Sequence, residues 1–176
     1  MPERINYTYR LLENFDVLLL KELLKVFGEA FGEIDTYQSA VPSDDYLKSL
    51  LSKDNFIVLV AFAGDLVVGG LAAYVLEKFE QERKEVYIYD LAIAENHRRR
   101  GIATGLINHL KRIAGEIGAY VIYVEADRGD EPAIKLYESF GTREDVHHFD
   151  IEIKNNLKHL LPKKKISSIV RANKKY

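Results

Sequence analysis

Arg98, Arg99 and Arg100 stand directly before Gly101, and Ile102, Leu106, Ile107, Leu110 and Ile113 then repeat at helical spacing. Ahead of them, Glu85 to Ala94 is rich in Val, Ile and Tyr and reads as a strand. A strand, a basic turn, a glycine that permits close backbone approach and an immediate helix start bring several unpaired N–H groups to one point. Such a point binds phosphate. The helix dipole adds partial positive charge there, and three guanidinium groups add full charges suited to the phosphates of a nucleotide-type cofactor.

A second set of candidates is acidic: Asp90, Glu125, Asp127, Asp130, Glu131, Asp150 and Glu152 fall where strands should open. Alternation puts Asp150 and Glu152 on one face of a strand, and does the same for Glu125 and Asp127 if theirs extends to Asp127. The formal net charge of −2 conceals an asymmetry, because from Lys154 onward there are eight Lys and Arg and no acid. Residues 1–153 therefore carry 17 basic and 27 acidic side chains, a formal charge of −10. An acidic body favours cationic ligands and disfavours nucleic acid. His147 and His148 are adjacent and point to opposite faces of a strand, which argues against a joint metal site, so no metal is expected. The absence of cysteine excludes disulfides, thiolate metal sites and cysteine nucleophiles.

These residues need a scaffold, and 176 residues suffice for one domain with a real core. A strand over 5–11, a helix over 16–31 and a second helix capped by Ser43 open the chain. Runs at 55–62 and 66–75 flank Ala63-Gly64-Asp65 as a hairpin, and the strand over 85–94 and the helix over 102–114 follow. Ala119 to Glu125 reads as a buried strand, Glu131 to Phe140 as a short helix with Pro132 in its first turn, and Glu144 to Ile153 as a last strand. The order β α α β β β α β α β is that of an α+β (mixed α/β) domain. Residues 1–153 form the expected domain and 154–176 a basic C-terminal extension. No apolar run approaches a membrane span and no secretory signal opens the chain, so the expected location is cytoplasmic.

Arg98, Gly101 and Ala103 fill the pattern Arg/Gln-x-x-Gly-x-Gly/Ala, and in this strand-to-helix setting the sequence resembles the GNAT superfamily of N-acetyltransferases. The resemblance implies a central mixed, mostly antiparallel sheet flanked by helices, and acetyl-coenzyme A as co-substrate. It places the pyrophosphate on Arg98, Arg99, Arg100, Gly101, Ile102, Ala103 and Thr104, and the pantetheine arm along Leu91, Ala92 and Ile93. It also aims Tyr137, on the helix before Gly141, at the sulfur of the cofactor, where its phenol would protonate the departing thiolate.

Longer segments resemble one branch, the type I aminoglycoside 3-N-acetyltransferases that include gentamicin acetyltransferase. They are Lys78-Phe-Glu-Gln81, Ile88-Tyr-Asp-Leu-Ala92, His97-Arg-Arg, Gly101-Ile-Ala-Thr104, Gly118-Ala-Tyr-Val-Ile-Tyr-Val124, Ala126-Asp127, Gly129-Asp130 and His148-Phe-Asp-Ile151, with weaker Thr36-Tyr37 and Asp45-Tyr46-Leu47. The implied substrate is a polycationic aminoglycoside acetylated at its 3-amino group, conferring antibiotic resistance. Asp90, Asp127, Asp130, Glu131 and Asp150 are the expected substrate-binding carboxylates. Asp150, in the Phe-Asp-Ile segment, is the leading general base, with Asp127 and Asp90 as alternatives. A polyamine or a protein lysine is the alternative acceptor, and a non-catalytic coenzyme A-binding module the alternative class. A homodimer is left open; no nucleic-acid or membrane partner is expected.

Overall fold

The computed structural model describes residues 5–151. Five strands, β1 (Tyr7–Leu11), β2 (Phe56–Ala63), β3 (Leu66–Glu77), β4 (Lys84–Ile93) and β5 (Ala119–Val124), make one sheet in the order β1-β2-β3-β4-β5. Every pairing is antiparallel except β4 with β5, which are parallel because a helix, α4 (Ile102–Glu116), carries the chain back between them. This is the expected mixed, mostly antiparallel sheet of an α+β fold.

Strand alternation divides the apolar residues between two layers. Ile57, Leu59, Leu71, Ala73, Val86 and Ile88 pack under α4, through its Ile102, Leu106, Ile107 and Leu110. Val58, Val60, Val67, Ala72 and Ala92 face α1 (Val17–Phe31) and α3 (Asp44–Leu51), through Leu20, Leu23, Phe27, Leu47 and Leu51. Close approach on both faces depends on glycine. A Cβ on Gly70 would stand 2.6 Å from the Leu23 side chain, and one on Gly105 of α4 only 2.0 Å from the Tyr9 hydroxyl.

The helix and hairpin signals locate their elements. Ser43 caps α3, its hydroxyl accepting from the Tyr46 amide, and Gly64 takes φ +60° in the two-residue loop between Ala63 and Leu66. Helix α5 (Glu131–Glu138) starts on Asp130, whose carboxylate accepts from the Ala133 amide at 3.2 Å. A five-residue helix, α2 (Ile34–Gln38), has no counterpart in the sequence reading, since one turn and a half cannot display a 3.6-residue period.

Two strand expectations need correction. Strand β5 is not buried: Tyr120, Val121 and Tyr123 are exposed, because β5 lies at the sheet edge and pairs only with β4 among the described residues. Composition rich in Val, Ile and Tyr marks a strand without marking its depth. The last expected strand, over 144–153, is absent in its described part: residues 143–151 have no regular structure, and residues 152 and 153 lie outside the described range. With no strand there, alternation no longer places Asp150 and Glu152 on a common face. The chain divides into two compact units, Met1–Gly141 and Thr142–Tyr176. Within the second, Arg143 pairs with Asp145 at 3.2 Å and His148 with Asp150 at 3.1 Å. The expected basic extension, 154–176, lies outside the described residues.

Candidate active site

Strand β4 changes its company along its length. Lys84 to Ile88 pair with β3 on one side and with β5 on the other, but Asp90 to Ile93 pair only with β3 among the described residues, since β5 ends at Val124 opposite Ile88. The two parallel strands thus part at their C-terminal ends, leaving the β5-side edge of Leu91 to Ile93 without a strand partner among the described residues. An unpaired strand edge is a template for another extended chain.

The gap leads to the basic turn. After β4, a short 3-10 turn over Glu95–His97 and the loop Arg98–Gly101 deliver the chain into α4. Arg99 and Gly101 both hold left-handed φ values, +61° and +80°, an arrangement that turns successive amides toward one point. The Gly105 amide donates to the Gly101 carbonyl as the first helical bond, so the amides of Ile102, Ala103 and Thr104 precede the ladder. A Cβ placed on Gly101 would meet nothing within 4 Å. The space above the helix start is therefore open, beside backbone amides that precede the helical ladder.

The three arginines differ in role. Arg98, although exposed, folds back on the protein: its Nε donates to the Ile93 carbonyl at 3.0 Å, and a terminal nitrogen reaches the Ala30 carbonyl at 3.5 Å. It fastens the loop to the end of β4. Arg100 lies 3.4 Å from the Tyr7 hydroxyl, which also contacts Nδ1 of His97 at 3.2 Å. Arg99 and Arg100 remain exposed before the helix start. The Tyr7 link spans more than ninety residues and carries no local signal, so the sequence does not reveal it.

Asp90 sits at the parting of the strands. Ala72 of β3 faces Asp90 while Ala73 faces Ile88, so Tyr89 is the extra residue of a β-bulge. Asp90 is half-buried and accepts a hydrogen bond from the Tyr37 hydroxyl of α2 at 3.1 Å. Burial raises its carboxyl above the ordinary value of 3.8; the Tyr37 bond partly offsets this, and Glu33 adds a smaller upward push. Tyr37 is held protonated in turn, by its own burial and then by the adjacent Asp90 charge.

Tyr137 approaches from the other layer. Helix α5 packs Leu136, Tyr137 and Phe140 against the α4-side core, whereas Asp90 lies opposite Ala72 on the α1 side. Burial, with a smaller contribution from Asp130, pushes the Tyr137 phenol up to about 12. Its hydroxyl has no hydrogen-bond partner among the described residues. The remaining expected acids, Asp127, Asp130 and Glu131, are exposed around the turn after β5, where the Asp130 amide donates to the Asp127 carbonyl. Asp150 belongs to the second unit and pairs there with His148. Among the described residues, no group of three His, Asp or Glu is placed to hold a metal ion, and no helix is long and apolar enough to cross a membrane.

Known proteins share this fold. The chain is 31% identical over 100 residues to the N-alpha-acetyltransferase 50 of Danio rerio, covering 56% of this chain and 58% of that protein. It spans about half the length of the curated relatives it matches. Among solved structures, an aminoglycoside acetyltransferase from an uncultured soil metagenomic sample is 51% identical, with a TM-score of 0.83 over 84% of this chain and 99% of that one. A second soil aminoglycoside acetyltransferase, solved in complex with sisomicin, is 32% identical, with a TM-score of 0.78 over 84% of this chain and 97% of that one. The model of the acetyltransferase (GNAT) family matches residues 20–142, from α1 through the parted strands and the start of α4 to the end of α5. With that match across most of its length, the chain belongs to the GNAT acetyltransferase family.

Proposed function

We propose that this protein transfers an acetyl group from acetyl-coenzyme A to an amino group of an aminoglycoside, at its 3-amino position, and so confers resistance. The observation that carries the reading is the pairing of an open β4 edge with a left-handed, arginine-flanked helix start. Exposed amides of 102–104, with Arg99 and Arg100, suit the pyrophosphate; Leu91, Ala92 and Ile93 suit the amide-bearing arm. Acetyl-coenzyme A supplies an acetyl group activated as a thioester.

The protein's own groups divide the remaining work. An acceptor amine must lose a proton to attack, and Asp90, half-buried at the bulge, is the best-placed base in the first unit. Asp150 was the expected base on the strength of its Phe-Asp-Ile segment, and it remains a second candidate. Tyr137 stands on the opposite side of the sheet from Asp90, so the acid and base roles fall to different layers. With its phenol pushed up to about 12 by burial, Tyr137 keeps its proton until the thiolate departs, donating first to the charge developing on sulfur and then protonating it. Backbone amides on the open β4 edge stabilise the thioester oxygen in the same way.

The substrate assignment rests on the carboxylates Asp90, Glu125, Asp127, Asp130 and Glu131 near the parted strands, and on the soil enzymes that share the fold over nearly their whole length. Following thiol release from acetyl-coenzyme A with gentamicin, kanamycin, spermidine or a lysine peptide, each offered alone, tests it. Rapid turnover with the two aminoglycosides is expected; turnover with the peptide alone would replace this acceptor class by another.

A further inference from the structure

The bulge in β4 has a second effect. In a regular strand Tyr89 and Asp90 would point to opposite faces; the extra residue turns both toward the α1 side. There Tyr89 meets Tyr74 and Tyr87 edge-on, with ring centroids 5.9 Å apart in each case and interplanar angles of 84° and 82°. Tyr87 in turn stacks on Tyr123 at 4.9 Å, and Tyr74 leans on Phe56 at 5.0 Å. Five aromatic rings from four strands form one wall.

Within it Tyr89 is 63% exposed. An exposed tyrosine on a loop samples many rotamers, but this one is gripped between two edges on a rigid strand, so a ligand meets a ring already fixed. A fixed ring costs little ordering entropy on binding. Carboxylates flank it: Asp90 follows in sequence, and Glu125 lies against the Tyr87 hydroxyl.

We infer that Tyr89 is the stacking platform for a sugar ring of the acceptor, holding it face-on while Asp90 addresses its amine. This rests on the aminoglycoside reading above and adds the residue that selects a ring over a linear chain. A cyclic aminosugar presents a flat patch of C–H bonds, polarised by neighbouring ammonium groups, to the negative face of the phenol ring. A linear polyamine carries the same charges but no such patch, and can satisfy the carboxylates without the ring.

Calorimetric titration with kanamycin and with spermidine, both in the presence of coenzyme A, tests the inference on wild type, Tyr89→Leu and Tyr89→Phe. Tyr89→Leu should weaken kanamycin binding roughly ten-fold, the upper part of the range for ring–cation contacts, and spermidine binding less than three-fold. Tyr89→Phe keeps the face and should recover kanamycin affinity to within about three-fold. In kinetics the Tyr89→Leu defect should fall on KM for the aminoglycoside, with kcat and KM for acetyl-coenzyme A held. Kanamycin affinity in Tyr89→Leu within two-fold of wild type, equal losses for both ligands, or a Tyr89→Phe defect as large as that of Tyr89→Leu each overturns the platform alone. A wild-type protein that does not bind kanamycin overturns the aminoglycoside reading with it.

Discussion

Asp90 is held in a state unfavourable for stability and suited to the base role proposed for it. Between the ordinary carboxyl value of 3.8 and its raised value in the fold, the folded chain binds more protons than the unfolded chain, so stability falls as pH rises through that window. At pH 7 the buried charge is a net cost. Asp90→Asn should therefore raise Tm at pH 7, with the gain shrinking as pH falls toward the ordinary carboxyl range, while kcat/KM drops by about two orders of magnitude or more. A variant that keeps wild-type kcat/KM would hand the base role to Asp150. Tyr137→Phe should lower kcat roughly ten- to hundred-fold and leave acetyl-coenzyme A affinity unchanged, because a donor to the departing sulfur acts mainly in the transition state. Equal kcat in the two proteins would make Tyr137 a packing residue. Residue chemistry was only partly legible in the sequence. Arg98, Gly101 and Tyr137 stand out by motif, whereas the common facing of Tyr89 and Asp90 and the Tyr37 bond arise from a bulge and a short helix that no periodicity announces.

Strand β4 and helix α4 are the elements that make the site, one by losing its neighbour and the other by starting on a left-handed glycine. Gly101→Val introduces a β-branched residue at φ +80°, which costs about 1–2 kcal/mol in backbone strain. No protein atom clashes with its first carbon, so the variant should fold with reduced Tm. Its added methyl groups would fill the open space above the helix start, and the dissociation constant for acetyl-coenzyme A should rise ten-fold or more by calorimetry. Unaltered affinity in the folded variant would move the pyrophosphate elsewhere. Elements with a long period or a sharp stop were readable: α1, α4 and the β2–β3 hairpin lie within two residues of their expected ends. The depth of β5 was not, because edge and interior strands share one composition. An alternating pattern at 144–151 likewise signals a strand only where another backbone pairs with it.

At the scale of the whole molecule, charge separates body from tail. Residues 1–153 carry a formal −10, a field that favours cationic ligands and reaches only about 10 Å at 0.1 M ionic strength. Raising salt from about 0.05 M to about 0.5 M should raise KM for an aminoglycoside several-fold at nearly constant kcat; a salt-independent KM would remove the acidic field from substrate capture. Sign and size of that field were legible in composition alone, whereas the gap beside β4 depends on where β5 stops. Acetyl transfer to an aminoglycoside amine is the central claim, and competition tests it most directly. The protein is given limiting acetyl-coenzyme A and an equimolar mixture of gentamicin, spermidine and a lysine peptide, and the products are resolved by mass spectrometry, with the acetylated nitrogen assigned by NMR. The account predicts that gentamicin gains one acetyl group, on its 3-amino nitrogen, while the other amines stay unmodified; acetyl groups on the polyamine or peptide with gentamicin unchanged would contradict it.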